Sequence, residues 1–482
     1  MMHLPIILRV TGILLTLFSL ALLLPAAVAL IYDEDTIPTF TIAFGITLAC
    51  GIVMSLIGSG KKELRSGDGF LITVLFYLGL GFFGAIPFYL ADSIEVSITD
   101  AAFESLSALT TTGATVITGL DELPKSILFY RQLLQWLGGM GIIVLAVAIL
   151  PMLGIGGMQL YRAESPGPVK DAKLTPRITQ TAKALWYLYL GLTISCGLAY
   201  WAAGMDPFDA ICHSFSTVAI GGFSTHDASI GFFASPTIEA IAIVFMIISG
   251  INFGLHFLVW NRRDPLQYLR DVEVRFYIFV LSSVTAIVCW VLIQHPEASD
   301  SPLRDGIFHA VSIATTTGFT TSDFSQWPSA APILLMFAAC AGGCAGSTAG
   351  GIKIIRVLLI FLQGSREIKR LIHPNGVFPI KLGPKRVPDR VIEAVWGFCS
   401  AYLIIFLTMV CALMLISDLD FVSAFSAVAA CLNNLGPGLG DVALNYQGLQ
   451  DDVKWLLMFT MLLGRLEIFT LVVLLTPAYW RR

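Results

Sequence analysis

The sequence predicts an all-α polytopic membrane protein, with four parallel span–pore-helix–span repeats around one axis and an N-terminal two-helix hairpin. Three observations lead to this prediction: the composition, ten long apolar segments, and a repeated short segment that ends at a glycine. The chain has 482 residues, of which 56% are hydrophobic and 13% charged, whereas soluble domains carry roughly 25% charged residues. So few charges cannot cover a water-facing surface, which excludes a soluble enzyme, a nucleic-acid binder and a disulfide scaffold.

Ten apolar segments are long enough to cross a hydrocarbon core, which takes about 20 residues. They are 10–32, 40–57, 70–90, 127–153, 184–203, 238–260, 276–293, 331–362 (interrupted), 391–416 and 453–475. Most of the 29 lysine and arginine residues lie in the loops on one side of these segments. Because cytoplasmic loops carry an excess of basic residues, this side and both chain termini are predicted to be cytoplasmic.

Four further apolar segments are too short to cross, since a helix of their length reaches only about 20 Å. They are 100–112, 209–221, 305–317 and 423–435. Each lies between two spans on the outer side and ends at a glycine, which is typical of a re-entrant helix. An acid or serine opens each segment as the expected helix N-cap: Asp100, Asp209, Asp305 and Ser423.

The short segments are copies of one another when aligned on Gly113, Gly222, Gly318 and Gly436. This repeat divides the chain into a helical hairpin and four units: 1–60, then 61–157, 158–262, 263–365 and 366–482. Each unit contains two spans and so starts and ends on the cytoplasmic side, which makes the units parallel rather than inverted. Four parallel units around one axis create a single central pore.

The turns that end the short segments are the candidate ion site. Their residues are Thr111, Thr112, Gly113, Ile220, Gly221, Gly222, Thr316, Thr317, Gly318, Asn434, Leu435 and Gly436. A dehydrated monovalent cation needs a ring of oxygens, which the backbone carbonyls of four symmetric loops can supply. Glycine permits the φ values that turn successive carbonyls toward one axis. A single such turn is equally an ordinary glycine C-cap, but four at equivalent positions favour the ion site.

The turns TTTGAT, IGGFST, TTTGFTT and NNLGPG, with GGCAGSTAGGIK in the third unit, resemble the TrkH potassium-uptake proteins of the bacterial Trk/Ktr/HKT superfamily. The resemblance covers essentially the whole chain. It implies a potassium-channel-like core that transports K⁺, with no organic cofactor bound by this chain. In plant HKT relatives a serine at the first filter glycine goes with Na⁺ preference, so Gly113 implies K⁺ preference. The departures at Ile220-Gly221 and Asn434-Leu435 imply weaker selectivity than in true K⁺ channels.

The same resemblance implies the partners and the location of the protein. It predicts a homodimer in the bacterial inner membrane, surrounded by lipid bilayer. It also predicts gating by a cytoplasmic TrkA-type ring that binds nucleotides (ATP/ADP or NAD). No nucleic-acid partner is expected.

Five glycines interrupt the eighth apolar segment: Gly342, Gly343, Gly346, Gly350 and Gly351. At roughly 1 kcal/mol each relative to alanine, they weaken a helix by about 5 kcal/mol. Non-helical backbone at membrane depth is tolerated only against protein or a water-filled cavity. The sequence therefore predicts an intramembrane gate loop across the pore, although close helix packing through small residues is an alternative.

Arg465 is the clearest cation in the middle of a span. Charges at this depth usually face an aqueous interior, so we predict a pore-facing barrier to cations, with pairing to Glu467 or another buried acid as the alternative. Lys353 follows the glycine-rich segment and is assigned to the gate. For Lys353 and Arg356, snorkelling toward the inner interface is an alternative to a role in gating.

Two mechanisms of transport remain open from sequence. The first is gated, channel-like K⁺ uptake through the central filter. The second is an H⁺- or Na⁺-coupled K⁺/Na⁺ symporter that works by alternating access. Parallel units and the lack of an acid pair at mid-depth favour the first, and no catalytic constellation predicts an enzyme.

Overall fold

The computed structural model describes residues 4–58, 66–141, 178–328 and 330–481 of the chain. These ranges are predominantly helical, and the β structure within them is one short hairpin, β1 (Lys381–Leu382) with β2 (Lys385–Arg386). The chain begins with α1 (Leu4–Ala21), α2 (Leu23–Ile31) and α3 (Ile37–Ile57). Helices α1 and α3 pack so closely that a Cβ on Gly12 would lie 2.5 Å from the backbone nitrogen of Ser55. Helices α1 and α3 are therefore in direct backbone contact.

The remaining helices follow in four groups, each containing one of the four short helices predicted to end at a glycine turn. The first group is α4 (Ser66–Leu90), α5 (Ile98–Leu109) and α6 (Lys125–Trp136), extended by a π-helical segment (Leu137–Gly141). The second is α7 (Ile178–Ala202), α8 (Pro207–Ala219), α9 (Pro236–Ser249), α10 (Phe253–Arg262) and α11 (Leu266–Arg270). The third is α12 (Val272–Gln294), α13 (Pro302–Ala314), α14 (Ala331–Ala341) and α15 (Ile354–Ile372). The fourth is α16 (Asp389–Ile416), α17 (Phe421–Asn433), α18 (Asp451–Arg465), α19 (Phe469–Leu475) and α20 (Pro477–Trp480).

Six helices in the described residues are long and apolar enough to cross a membrane, or eight if each of two bent pairs counts as one span. These eight correspond to eight of the ten predicted spans. The predicted span 127–153 is described only as far as Gly141, and its remainder lies outside the described residues. The predicted span 331–362 is divided between α14 and α15, with non-helical backbone from Gly342 to Lys353.

The four short helices α5, α8, α13 and α17 form the centre of the protein. Their side chains are buried on almost every face, and they start two or three residues earlier than predicted. The expected N-caps were wrong. The observed N-cap residues are Ser97, Asp206, Ser301 and Asp420, and the predicted caps lie in the first helical turn. Asp100, for example, completes a capping box with Ser97, in which each side chain satisfies a backbone N–H at the helix start.

Two spans that the sequence predicts as continuous are broken. Helices α9 and α10 meet at 91°, and α18 and α19 at 117°. At the first break Asn252 caps the new helix by accepting from Gly254 N at 2.7 Å. At the second, Glu467 and Ile468 have positive φ values of 54° and 50°, which a right-handed helix does not accommodate. Hydropathy does not register either break, because the flanking residues stay apolar.

Candidate functional site

The four short helices end in the same backbone turn. In each, the N–H of the residue before the ring glycine donates to the carbonyl five residues back at 2.8 or 2.9 Å: Thr112 to Ser107, Gly221 to Ser216, Thr317 to Ser312 and Leu435 to Ala430. The residue two before the glycine has a φ between 54° and 66° in every copy: Thr111, Ile220, Thr316 and Asn434. This is the Schellman arrangement, which usually takes glycine at the left-handed position. Here a residue with a side chain occupies that position in all four copies.

The glycines that follow form a closed ring, which we call the glycine ring (Gly113, Gly222, Gly318 and Gly436). Their φ values lie between 78° and 94°. A Cβ on each would collide with a carbonyl oxygen of another turn: 2.1 Å from Gly221, 2.0 Å from Thr317, 2.1 Å from Leu435 and 2.8 Å from Thr112, respectively. Each turn thus touches the next in chain order, and the fourth touches the first. The structure therefore brings all twelve predicted ion-site residues into four adjoining turns.

Hydrogen bonds of polar side chains support these turns, and the first and third turns share a pattern that the fourth does not. In the first and third turns two threonine hydroxyls are hydrogen-bonded, Thr110 with Thr112 at 2.7 Å and Thr315 with Thr317 at 2.8 Å. In the fourth turn the Asn434 amide donates to Thr112 Oγ1 at 2.9 Å. The turns therefore share their backbone geometry but not the side chains that support it.

The loop between α14 and α15, Gly342–Lys353, contacts the C-terminal ends of three of the short helices. Three of its residues donate hydrogen bonds there: Gly350 N to Thr316 Oγ1 at 2.7 Å, Gly351 N to Asn433 O at 3.1 Å and Thr348 Oγ1 to Val218 O at 2.9 Å. These acceptors belong to the third, fourth and second repeats. A Cβ on Gly350 would lie 1.9 Å from Asn433 O, so the loop is packed directly against the helix end. The five predicted gate glycines all lie in this loop.

Arg465, at the end of α18, links the first turn to this loop. Its guanidinium donates to Thr111 Oγ1 at 3.0 Å, and to the carbonyls of Gly138 and Gly139 at 2.5 and 2.7 Å. A longer contact of 3.5 Å reaches Thr348 O in the loop. The positive charge therefore lies directly beside the candidate ion site.

The other charged residues near the loop have separate partners. Glu467 pairs with Arg356 at 2.7 Å. Lys353 is buried, and its ammonium donates to the carbonyl of Ala349 within the loop. The snorkelling alternative for Lys353 was wrong, because its side chain is buried and folds back onto the loop of which it is the last residue.

Comparison with known proteins identifies the family. The model of the TrkH family, described as "Cation transport protein", matches residues 36–482. The chain belongs to the TrkH family. It is 58% identical over 482 residues to the Trk system potassium uptake protein TrkH of Vibrio parahaemolyticus, covering 98% of this chain and 99% of the relative. It is 54% identical to TrkH of Escherichia coli K12, with 100% of both chains covered.

A solved structure of a TrkH protein has the same fold. The crystal structure of the potassium transporter TrkH from Vibrio parahaemolyticus matches with a TM-score of 0.90 at 53% identity, covering 99% of this chain and 100% of that one. These findings confirm the predicted family and a membrane protein. The relatives are named as potassium transport proteins, so the family consists of transporters and not of enzymes.

Sequence reasoning missed a buried ion pair in this TrkH-family chain. Arg131 Nε donates to Glu104 at 2.8 Å, and the two side chains are 1% and 0% exposed. Arg131 also donates to the carbonyl of Ser224, just after the second turn, at 3.0 Å. Glu104 accepts from the N–H of Val116, after the first turn, at 3.0 Å. The pair therefore joins the segments that follow two of the turns, and removing one partner leaves a buried charge.

The sequence repeat contains a signal for the role of Glu104. Glu104 stands nine residues before its ring glycine, and His213 and His309 stand at the same place in the second and third repeats. All three side chains contact residues after the glycine: His213 bonds Ser224 Oγ at 2.9 Å, and His309 bonds Ser322 O at 3.1 Å. A polar residue at the same position in three repeats therefore indicates a side chain that contacts the segment after the turn.

His226 bridges the first two repeats. Its ring nitrogens contact the carboxylates of Asp121 and Asp209, the latter at 3.3 Å. The ring also stacks on Phe232 with 3.5 Å between centroids. Burial disfavours the charged form, but the hydrogen bonds and charges of the two aspartates outweigh it and raise the pKa of His226 above 6.5. The two aspartates thus stabilise the imidazolium.

Proposed function

We propose that this chain is the membrane subunit of a K⁺ uptake system and conducts K⁺ through the glycine ring. The observation that carries this proposal is the closed contact of four turns with one backbone geometry, in which each ring glycine abuts a carbonyl of a neighbouring turn. Relatives that span the whole chain are named potassium uptake proteins. Rings of backbone carbonyls replace the hydration shell of a monovalent cation.

The ion-binding residues are those of the four turns, from Thr111, Ile220, Thr316 and Asn434 to the ring glycines. The short helices direct their C-terminal partial negative charge at the same place, which favours a cation. Four parallel units, 61–157, 158–262, 263–365 and 366–482, supply one turn each. K⁺ is the transported ion in this scheme, and the residues of the chain itself provide all the ligands.

The loop Gly342–Lys353 acts as the gate in this proposal. Its hydrogen bonds to three repeats hold it under the ring. Arg465 adds a positive charge at the same constriction and ties Thr111 to Thr348. Because a fixed charge in low dielectric opposes a passing cation, moving both groups aside opens the path.

The proposed assembly is a homodimer in the bacterial inner membrane, with both termini in the cytoplasm and a TrkA-type nucleotide-binding ring as the regulator. The "Trk system" named in the relatives supports a multi-component system. The cytoplasmic face of this scheme contains the end of α15 and the β1–β2 hairpin, which carry Lys369, Arg370, Lys381, Lys385 and Arg386. A basic surface at this level also contacts lipid headgroups.

Recording from the purified protein in planar bilayers separates the two transport mechanisms. A gated channel gives unitary currents with a K⁺ reversal potential that is independent of the H⁺ gradient. An H⁺- or Na⁺-coupled symporter gives no unitary currents, and its reversal potential shifts with the coupling ion. The second result would replace the channel mechanism with alternating access.

A further inference from the structure

Gln135, on α6, contacts the second turn on both sides of its ring glycine. Its Nε2 donates to the carbonyl O of Gly221 at 2.6 Å, and its Oε1 accepts from the N–H of Phe223 at 3.1 Å. The side chain is completely buried. Both polar atoms of the amide are therefore hydrogen-bonded, one to the residue before Gly222 and one to the residue after it.

Gly221 occupies the place where the first and third turns carry Thr112 and Thr317. A Cβ on Gly221 would lie 2.5 Å from Cδ and Oε1 of Gln135, so the amide fills the space that a threonine side chain would need. The second turn also has Ala219 where the hydroxyl pairs of the other two turns begin. The amide of Gln135 thus stands in for a threonine pair that this turn cannot form.

The repeat supplies this amide only once. The residues 22 positions after the other three ring glycines are Val244, Cys340 and Met458, none of which has an amide to donate. The second turn is therefore held by a contact that the other repeats do not copy, and its Gly221 carbonyl already has a protein donor.

We propose that Gln135 is a selectivity-determining positioning residue, which fixes the orientation of the Gly221 carbonyl and so the second quarter of the K⁺ site. This inference rests on the proposed function of the glycine ring. A carbonyl bonded to a buried amide keeps one orientation, because breaking the bond leaves a buried donor unsatisfied. Without the amide the turn can adapt to Na⁺, a smaller cation, and discrimination falls.

The test uses the full-length protein in bilayers and measures the K⁺/Na⁺ permeability ratio from reversal potentials. Gln135→Leu removes both hydrogen bonds, and Gln135→Met removes them while keeping the length of the side chain. Both are expected to lower the ratio by about fivefold, the loss of about one hydrogen bond. The matched control is Gln132→Leu, one helical turn earlier: in the described structure the buried amide of Gln132 has no hydrogen-bond partner. Its ratio should match that of the parent.

A coupled pair of variants tests the steric part of the argument. Gly221→Thr alone places a side chain against Gln135 and should reduce K⁺ flux. Combining it with Gln135→Ala opens the space, so the double variant should conduct better than Gly221→Thr alone. Contacting residues are expected to show such non-additivity, and additive losses would count against the complementarity of the two positions.

The outcomes distinguish this inference from the assignment of the filter. If Gly113→Ser lowers the permeability ratio while both Gln135 variants keep it, the role of Gln135 is wrong and the filter stands. If neither Gly113 nor Gln135 variants change the ratio, the proposed ion site itself is wrong. If Gln135→Leu fails to assemble, Gln135→Met, which keeps the length of the side chain, decides the matter.

Discussion

Gly113→Ser is the substitution for which the structure gives the most direct expectation. The added Cβ would lie 2.1 Å from the carbonyl oxygen of Gly221, whereas ordinary contact begins at 3.4 Å. The two turns must therefore separate by about 1.3 Å, well beyond the roughly 0.5 Å within which a binding constellation has to be held. Serine must also adopt a φ of 79°, which costs about 1–2 kcal/mol. We expect the K⁺/Na⁺ permeability ratio to fall by about tenfold, the equivalent of 1.4 kcal/mol.

The assay is the reversal potential of purified protein in bilayers with K⁺ on one side and Na⁺ on the other. Gly119→Ser is the matched control: Gly119 has a φ of 72°, but a Cβ there would meet nothing within 4 Å. The control therefore carries the backbone cost without the collision, and its ratio should equal that of the parent. An unchanged ratio in Gly113→Ser, in protein that is assembled normally, would refute the reasoning from the ring contact.

Three further expectations concern the loop, Arg465 and His226. Shortening the loop Gly342–Gly351 should raise Rb⁺ flux into liposomes without the cytoplasmic partner and leave selectivity almost unchanged; assembled protein with flux at or below that of the parent would contradict the gate. Arg465→Ala should also raise flux, since one charge opposes a cation roughly 8 Å away by about 2 kcal/mol at an effective dielectric constant of about 20, whereas Arg465→Lys keeps the charge and should change flux less. The raised pKa of His226 means that its imidazolium stabilises the fold below about pH 6.5 and that this contribution disappears as pH rises through the folded-state pKa. His226→Gln should therefore lower the thermal midpoint at about pH 6 and have little effect at about pH 9; a loss that is the same at both pH values would exclude the charged contact.

The sequence predicted the parts of the fold that depend on local patterns repeated in register. The ring glycines were found because four copies share one spacing, and the short helices because their apolar length is too small to cross a bilayer. Their exact starts were missed, since an aspartate at the third helical position and one at the cap look alike without coordinates. Asp209 and Asp206 both lie at the start of α8, and only the geometry shows that Asp206 is the cap.

The breaks in the two bent spans, and the contacts that Gln135 and Arg131 make with the second repeat, were not predictable, because they depend on which helices meet. Gly250 gives no strong helix-breaking signal on its own, yet a Cβ there would lie 2.3 Å from the hydroxyl of Tyr277 on another helix. Gln135 and Arg131 look like ordinary polar residues at the start of an apolar segment. Their roles arise from contacts with the second repeat, about 90 positions away along the chain.

The helix breaks explain why the loop and Arg465 contact the structure where they do. A span that packs against the end of a short helix needs small residues at the contact. A Cβ on Gly138 would lie 2.1 Å from Leu109 O, and a Cβ on Gly464 would lie 2.2 Å from Leu432 O. Close to these contacts the regular α-helix stops, and backbone carbonyls there accept hydrogen bonds from other parts of the chain.

Arg465 donates to two such carbonyls, Gly138 and Gly139, and Cys344 N of the loop donates to a third, Gly250, at 2.8 Å. Backbone groups at membrane depth must be satisfied by protein or by water. Moving the loop and Arg465 away from the ring therefore requires water to enter and take over these bonds. If the loop is the gate, as proposed, entry of water beside the glycine ring and opening of the gate are one event rather than two.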